Sequence, residues 1–177
     1  VKPPETLETE RLRLRRAALE DAEAIFTEYA QDPEVTKYLT WRPHRSIGTV
    51  YEFLHMAIDA WETGRAFQWA ILRKDDARLM GMIGWRVDGH KLEMGYALAR
   101  AYWGKGYMTE AVTALIAWAL KQDDIHRVWA VCDVENGASA RVMEKAGMRR
   151  EGILRRWSIH PHLSDEPRDS YCYAITK

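Results

Sequence analysis

The period of apolar and polar positions changes several times along the chain, and each change marks an element. Leu12-Arg13-Leu14-Arg15 alternates with a period of two and predicts a first strand. Over residues 21–29, Ala22, Ile25, Phe26 and Tyr29 recur at helical spacing. Glu20, Asp21 and Glu23 lie at the end where a helix favours acids, and Asp32-Pro33 ends the element. A second helix is predicted over residues 46–61, with Ile47, Val50, Tyr51, Leu54, Ile58 and Trp61 on one stripe and Gly64 closing it. Residues 67–72, 79–87 and 91–98 read as strands, the last two joined by the hairpin pair Asp88-Gly89. Helical spacing returns over 109–120, where Val112, Leu115, Ile116 and Ala119 share a face. A strand at 128–134, a helix at 139–146 ended by Gly147, and strands at 153–159 and 171–175 complete the pattern. The order β-α-α-β-β-β-α-β-α-β-β predicts an α+β fold: a mixed, mostly antiparallel central sheet of about seven strands flanked by about four helices. The helix at 109–120 crosses over between the fourth strand and a parallel fifth. With no linker, repeat or low-complexity tract, residues 1–177 read as one domain.

Composition narrows the partners. The 26 basic and 26 acidic side chains cancel, which argues against general binding to nucleic acid or an anionic membrane. No apolar run approaches the ~20 residues of a membrane span, and residues 1–16 are too charged for a secretory signal. Cys132 and Cys172 each lie in an apolar stretch, as reduced core thiols do in a cytoplasmic protein, rather than where a catalytic thiol would stand. Eight Trp and eight Tyr against three Phe favour a cleft or interface, because these rings carry polar handles that need partners.

The densest chemistry is Trp103-Gly104-Lys105-Gly106-Tyr107-Met108-Thr109, between a strand and a strong helix. Two glycines leave backbone N–H groups unobstructed, and the helix adds its positive end. The result is an anion site suited to a pyrophosphate, unless the segment is a plain tight turn. A Walker loop would need Gly at 99 and Ser or Thr at 106, where Ala99 and Gly106 stand. A dinucleotide fingerprint would need a third glycine where Thr109 stands.

Three motifs in order carry a resemblance: Leu92-Glu93-Met94-Gly95-Tyr96, the glycine turn with Glu110-Ala111-Val112, and the run from Asn136-Gly137-Ala138-Ser139 to Ala146-Gly147-Met148. The chain resembles the GNAT acyl-CoA N-acyltransferase superfamily, and within it the ribosomal-protein-alanine N-acetyltransferase branch, from Thr9-Glu10-Arg11-Leu12 to Tyr173. The superfamily's turn is R/Q-x-x-G-x-G/A. Here Gly106 matches, while Trp103 and Met108 depart from it, Met108 with the consequence of crowding a phosphate. The resemblance implies acetyl-CoA as co-substrate, with its pyrophosphate on the amides of Trp103, Gly104, Lys105, Gly106, Tyr107, Met108 and Thr109. Its pantetheine would lie along the strand end near Leu98, bordered by Asn136 and Ser139.

Acetyl transfer needs a neutral amine, a polarised carbonyl and a tolerable thiolate departure. At pH 7.5 an α-amine of pKa ~7.8 is about one-third neutral, a cost of about 0.6 kcal/mol, whereas a lysine at ~10.4 is about 0.1% neutral, costing about 4 kcal/mol. The resemblance implies a carboxylate on the fourth strand holding a base-activated water; Glu93 stands there, on the side of Gly95 and Ala97. The branch's alternative acid, shortly after the second helix motif, has no counterpart in Arg155-Arg156-Trp157-Ser158-Ile159-His160. His160 and His162 are then the substitute bases. Many superfamily members place a Tyr seven residues after the motif Asn; here that position is Met143, so Ser139 is the candidate for the thiolate, doubling as a helix N-cap. Tyr171 and Tyr173 rank behind it, as core or cleft-wall residues. Glu20–Glu34 and Arg149–Arg156 are charge-rich and read as solvated faces, with a cationic amine and a coenzyme phosphate (through Arg149 or Arg150) as their other uses.

The expected function is thus transfer of acetyl from acetyl-CoA to a primary amine, foremost a protein N-terminus. The alternatives are a polyamine, amino-acid or antibiotic acetyltransferase and a non-catalytic acyl-CoA-binding regulatory module. No nucleic acid, membrane or metal partner is expected, and a homodimer is compatible with the pattern.

Overall fold

The computed structural model describes all residues, Val1–Lys177. Eight strands form one sheet in the order β1-β2-β3-β4-β5-β6-β8-β7. They are β1 (Thr6–Glu8), β2 (Leu12–Arg16), β3 (Ala66–Arg73), β4 (Leu79–Asp88), β5 (Lys91–Leu98), β6 (Arg127–Asp133), β7 (Arg149–Ser158) and β8 (Arg168–Thr176). All neighbours are antiparallel except β5 and β6, which the expected crossover helix connects. The sheet has one strand more than expected. β1 is only three residues long, too short for a period to show, and is held by its ladder to β2.

Five α-helices accompany it: α1 (Ala22–Ile25), α2 (Pro33–Thr36), α3 (Ile47–Glu62), α4 (Tyr107–Ala119) and α5 (Gly137–Lys145). The first expected helix is a composite, with a 3-10 turn at Leu19–Asp21, α1, then a π turn at Phe26–Ala30. Asp32 ends it as expected and also starts α2, its carboxylate accepting from Glu34 N at 2.9 Å ahead of Pro33. In α3 the buried stripe is Val50, Leu54, Ala57 and Trp61, whereas Ile47 and Tyr51 are exposed. The buried stripe is therefore rotated by only about 40°, roughly a tenth of a turn, from the one the large side chains mark, with Ala57 on it in place of Ile47 and Tyr51. α4 buries Met108, Ala111, Val112, Leu115, Ile116 and Ala119, the i, i+3/i+4 set its sequence announces.

α1 and α3 pack on each other and on β4 and β3; α4 packs against β2 and α5 against β7. One core cluster of 39 buried residues results. Each fully buried Leu or Ile in it stabilises the fold by about 1.5–3 kcal/mol. An aromatic array crosses the core: Trp61 of α3, Trp69 of β3, Trp85 of β4 and Trp118 of α4 have successive ring centroids 5.0, 5.0 and 5.7 Å apart. No helix is long and apolar enough to cross a membrane.

The parallel β5–β6 pairing lasts only three residues, Lys91 with Arg127, Leu92 with Val128 and Glu93 with Trp129. Beyond Glu93, β5 stays paired with β4 up to Leu98, and β6 with β8 up to Asp133. The sheet therefore opens into a gap between Met94–Leu98 and Ala130–Asp133. Two helix N-termini follow the strand ends that bound it: α4 after β5 and α5 after β6.

Candidate active site

The glycine turn is built as an anion cradle. Gly104 and Gly106 have φ of +72° and +79°, left-handed values that side-chain-bearing residues rarely adopt, and α4 begins at the next residue. None of the six consecutive N–H groups from Gly104 to Thr109 finds a backbone acceptor in the protein. Unpaired amides at a helix start attract negative charge. Met108, expected to crowd a phosphate, points its side chain into the core and contributes only its N–H. Lys105 folds back, its Nζ donating to Ala101 O at 2.9 Å. The Trp103 indole donates to Leu98 O at 2.7 Å, so this carbonyl, expected to face the pantetheine, already accepts one hydrogen bond.

A brace holds the turn from behind. Glu110 accepts from Thr9 Oγ1 at 2.6 Å, Arg11 N at 2.8 Å and Arg11 Nε at 2.7 Å. The Arg11 guanidinium continues to Lys105 O at 3.0 Å and lies 4.4 Å from the Tyr107 ring centroid. Burial pushes the Glu110 carboxyl up, but the Thr9 and Arg11 hydrogen bonds outweigh it and hold the group below its ordinary value. The sequence placed Thr9 and Arg11 in a motif without showing this role, which depends on contacts about a hundred residues apart.

At the mouth of α5 the cap is Asn136, whose side-chain oxygen accepts from Ser139 N at 3.2 Å. Ser139 was expected to double as the cap and does not. Its hydroxyl is instead 2.8 Å from the phenol oxygen of Tyr96, which sequence reasoning passed over. Tyr96 belongs to β5, inside the gap; its position in Met94-Gly95-Tyr96 was the available signal. Burial raises the Tyr96 phenol and keeps it protonated, and burial likewise pushes the nearby Cys132 thiol up to about 11. Cys132 and Cys172 are both buried and free.

Glu93 is on the other face of β5. Strand alternation puts Leu92, Met94 and Tyr96 on one side and Glu93 and Gly95 on the other. Its side chain is 30% exposed, 3.6 Å from an Arg86 guanidinium nitrogen, and shares a pocket with Gln68, Gly84 and Gly95. The two expected catalytic residues thus flank the end of the gap from opposite faces.

The substitute bases are placed differently. His162 is exposed. His160 is buried, its Nδ1 3.3 Å from Leu39 O and its Nε2 facing Asp133 Oδ2 at 3.5 Å. Asp133 is clamped by Arg168 Nε at 2.6 Å and Nη2 at 3.2 Å. Tyr38 and Trp41 lie in the α2–α3 loop, which His160 and an Arg42–Asp165 pair tie to the β7–β8 loop. Tyr173 is a core residue bonded to Glu144 at 2.8 Å, and Met143 is fully buried. Arg149 and Arg150 line a groove on the outer strand pair with Gly147 and Ile175. Among the early acids, Asp21, Glu28 and Asp32 are paired with Arg15, Arg78 and Arg100.

Comparison with known proteins agrees with this geometry. The acetyltransferase (GNAT) domain matches residues 11–149. The uncharacterized N-acetyltransferase p20 of Bacillus licheniformis is 34% identical over 154 residues, covering 85% of this chain and 86% of its own. The crystal structure of a GNAT-family acetyltransferase from Bacillus anthracis superposes with a TM-score of 0.84 at 32% identity, covering 97% of this chain and 98% of that one. The ribosomal protein uS5-alanine N-acetyltransferase of Escherichia coli (strain K12) is 26% identical over 183 residues, covering 98% of this chain and 92% of its own. The chain belongs to the GNAT acetyltransferase family. It is an acyltransferase with acetyl-CoA as co-substrate, and the free amides of the glycine turn and the unpaired strand edges fit that molecule.

Proposed function

We propose that the chain acetylates the N-terminal α-amine of a protein, by direct attack on the thioester of acetyl-CoA held in the β5–β6 gap. The observation that carries this is Glu93, a carboxylate on the face of β5 opposite Ser139, 3.6 Å from an arginine. A side-chain carboxylate is ordinarily a weak base. It suffices to hold a water for an α-amine, which is already about one-third neutral near pH 7.5, and it is a poor match for a lysine or polyamine. The similarity to a ribosomal-protein-alanine N-acetyltransferase supports the same acceptor class.

In this reading the pyrophosphate of acetyl-CoA lies on the amides of Gly104–Thr109, and the pantetheine runs along β5 past Leu98 with Asn136 beside it. The amine nitrogen approaches from the Glu93 face and attacks the carbonyl carbon. The C–N bond forms, the C–S bond breaks, and the electron pair leaves on sulfur toward Ser139. The surplus proton of the nitrogen passes to water held by Glu93. Entry of the amine from one face and departure of sulfur toward the other suit addition to the carbonyl followed by collapse of the tetrahedral adduct. The test is thiol release from acetyl-CoA with a panel of amines. Peptides beginning with Ala or Ser are expected to turn over, and spermidine and aminoglycosides are not. The reverse pattern overturns the acceptor assignment, and tight binding of acetyl-CoA without release by any amine establishes a regulatory module instead.

A further inference from the structure

We propose that Tyr96 is a positioning residue for acetyl transfer: its phenol donates to Ser139 Oγ and so directs the serine's own proton to the sulfur that leaves. The inference rests on the acetyl-transfer reading of the same site and adds to it a relay that the sequence motifs do not contain.

Three observations carry it. The Tyr96 oxygen is 2.8 Å from Ser139 Oγ and a longer 3.4 Å from Ser139 O, so the phenol's single proton has the hydroxyl as its nearer acceptor. The serine hydroxyl is free of the role that usually occupies a residue there, because Asn136 caps α5. The buried Cys132 thiol near that hydroxyl is held protonated by burial, and a thiol is a weak hydrogen-bond partner.

The direction of the bond follows from chemistry. A phenol is the more acidic hydroxyl and the better donor, and the buried Tyr96 stays protonated. A serine has one proton and two lone pairs. Once one lone pair is taken by Tyr96, the proton is left for the best acceptor within reach. When the C–S bond breaks that acceptor is the thiolate, whose charge makes the hydrogen bond stronger than any neutral alternative. Accepting from Tyr96 also polarises the serine O–H and strengthens what it donates. The phenol missing at Met143 is thus replaced by one that reaches the same helix from β5, acting through a serine rather than on sulfur directly.

The experiment compares Tyr96→Phe, Ser139→Ala and the double variant in the full chain, with thermal melting checked for each. Tyr96→Phe is expected to lower kcat about five- to tenfold while leaving KM for acetyl-CoA within about twofold. Ser139→Ala is expected to lower kcat further, and the double variant no further than Ser139→Ala alone, because the phenol works through the serine. A second readout needs no turnover: the thiol pKa of bound coenzyme A, followed by ultraviolet thiolate absorbance. It is expected below the ~8.5 of a free thiol in the wild type and nearer to it in both single variants. An undiminished kcat in Tyr96→Phe, an equal loss in the Ser139→Ala background, or an unmoved thiol titration each overturns the proposal. If no amine releases thiol with the wild type, the acetyl-transfer reading fails, and the thiol titration still decides the relay.

Discussion

Glu110 ties the first strands to the glycine turn, and removing its carboxylate tests that connection. In Glu110→Ala, Thr9 Oγ1, Arg11 N and Arg11 Nε all lose their acceptor. Hydrogen bonds to a charged group are worth about 1.5–3 kcal/mol each, but water can enter where the carboxylate was, so about 1 kcal/mol per bond and about 3 kcal/mol in all is the expected loss. In a chain of this size each kcal/mol lowers Tm by about 2–4 °C, which sets the drop near 9 °C. Arg11 would then no longer be oriented toward Lys105 O, and the freed turn is expected to bind coenzyme A about tenfold more weakly, or about 1.4 kcal/mol. kcat at saturating acetyl-CoA should change little. The pH dependence has a definite sign. The folded-state pKa of Glu110 is lowered, so its contribution is complete above the unfolded value of ~4.3 and is lost as pH falls through the folded one. The gap between wild type and Glu110→Gln should therefore close in acid. Melting curves and titration calorimetry with coenzyme A read both quantities. A variant melting within about 2 °C of wild type, or one that is less stable yet binds coenzyme A unchanged, refutes the argument.

Gly106→Ala forces a left-handed φ of +79° on a residue with a Cβ and should cost about 1–2 kcal/mol, weakening coenzyme A binding at the same time; equal affinity in calorimetry would show that the turn does not hold the phosphates. Arg168→Met leaves the fully buried Asp133 carboxylate without its guanidinium and should cost about 3 kcal/mol in urea unfolding at pH 7. Burial raises the Asp133 carboxyl, but hydrogen bonds from Arg168 and the Glu135 N–H together outweigh it and hold it low, so the part of the wild type's advantage that Arg168 supplies should fade as pH falls below about 4. Cys132, with its thiol pushed up to about 11, should resist alkylation in the native protein and react on unfolding, as mass spectrometry would show.

What could be read in the sequence and what could not divide by the range of the interactions. The glycine turn, α4 and the Asp88-Gly89 hairpin depend on residues close along the chain, and they stand where the pattern placed them. The outer strand β7 is mostly exposed, so no alternation marked where it begins, and it starts at Arg149 rather than at 153. The stripe of α3 was misjudged at Ile47 and Tyr51 because helical spacing registers hydrophobicity and not how closely a neighbour approaches. In the candidate site, Asn136, Ser139, Glu93 and the turn were legible as residues. Their division of labour was not: Asn136 takes the cap and so frees Ser139, and Ser139 meets Tyr96 on the face of β5 opposite Glu93. Tyr96 and Arg168 owe their significance to partners 43 and 35 residues away, a distance no local pattern encodes.

The four indoles that cross the core also give the molecule an optical property. Trp61, Trp69, Trp85 and Trp118 are close enough for excitation absorbed by one ring to migrate to the next, so their emission reports on the seam between helices and sheet as a unit. Trp103 stands apart from them, 44% exposed beside the glycine turn, within reach of a dissolved quencher. A coenzyme phosphate settling on the adjacent amides would shield that ring while leaving the inner four undisturbed. Once Trp157, the other strongly exposed indole at 52%, is replaced by Phe, occupancy of the turn and integrity of the core are separable in one unlabelled sample.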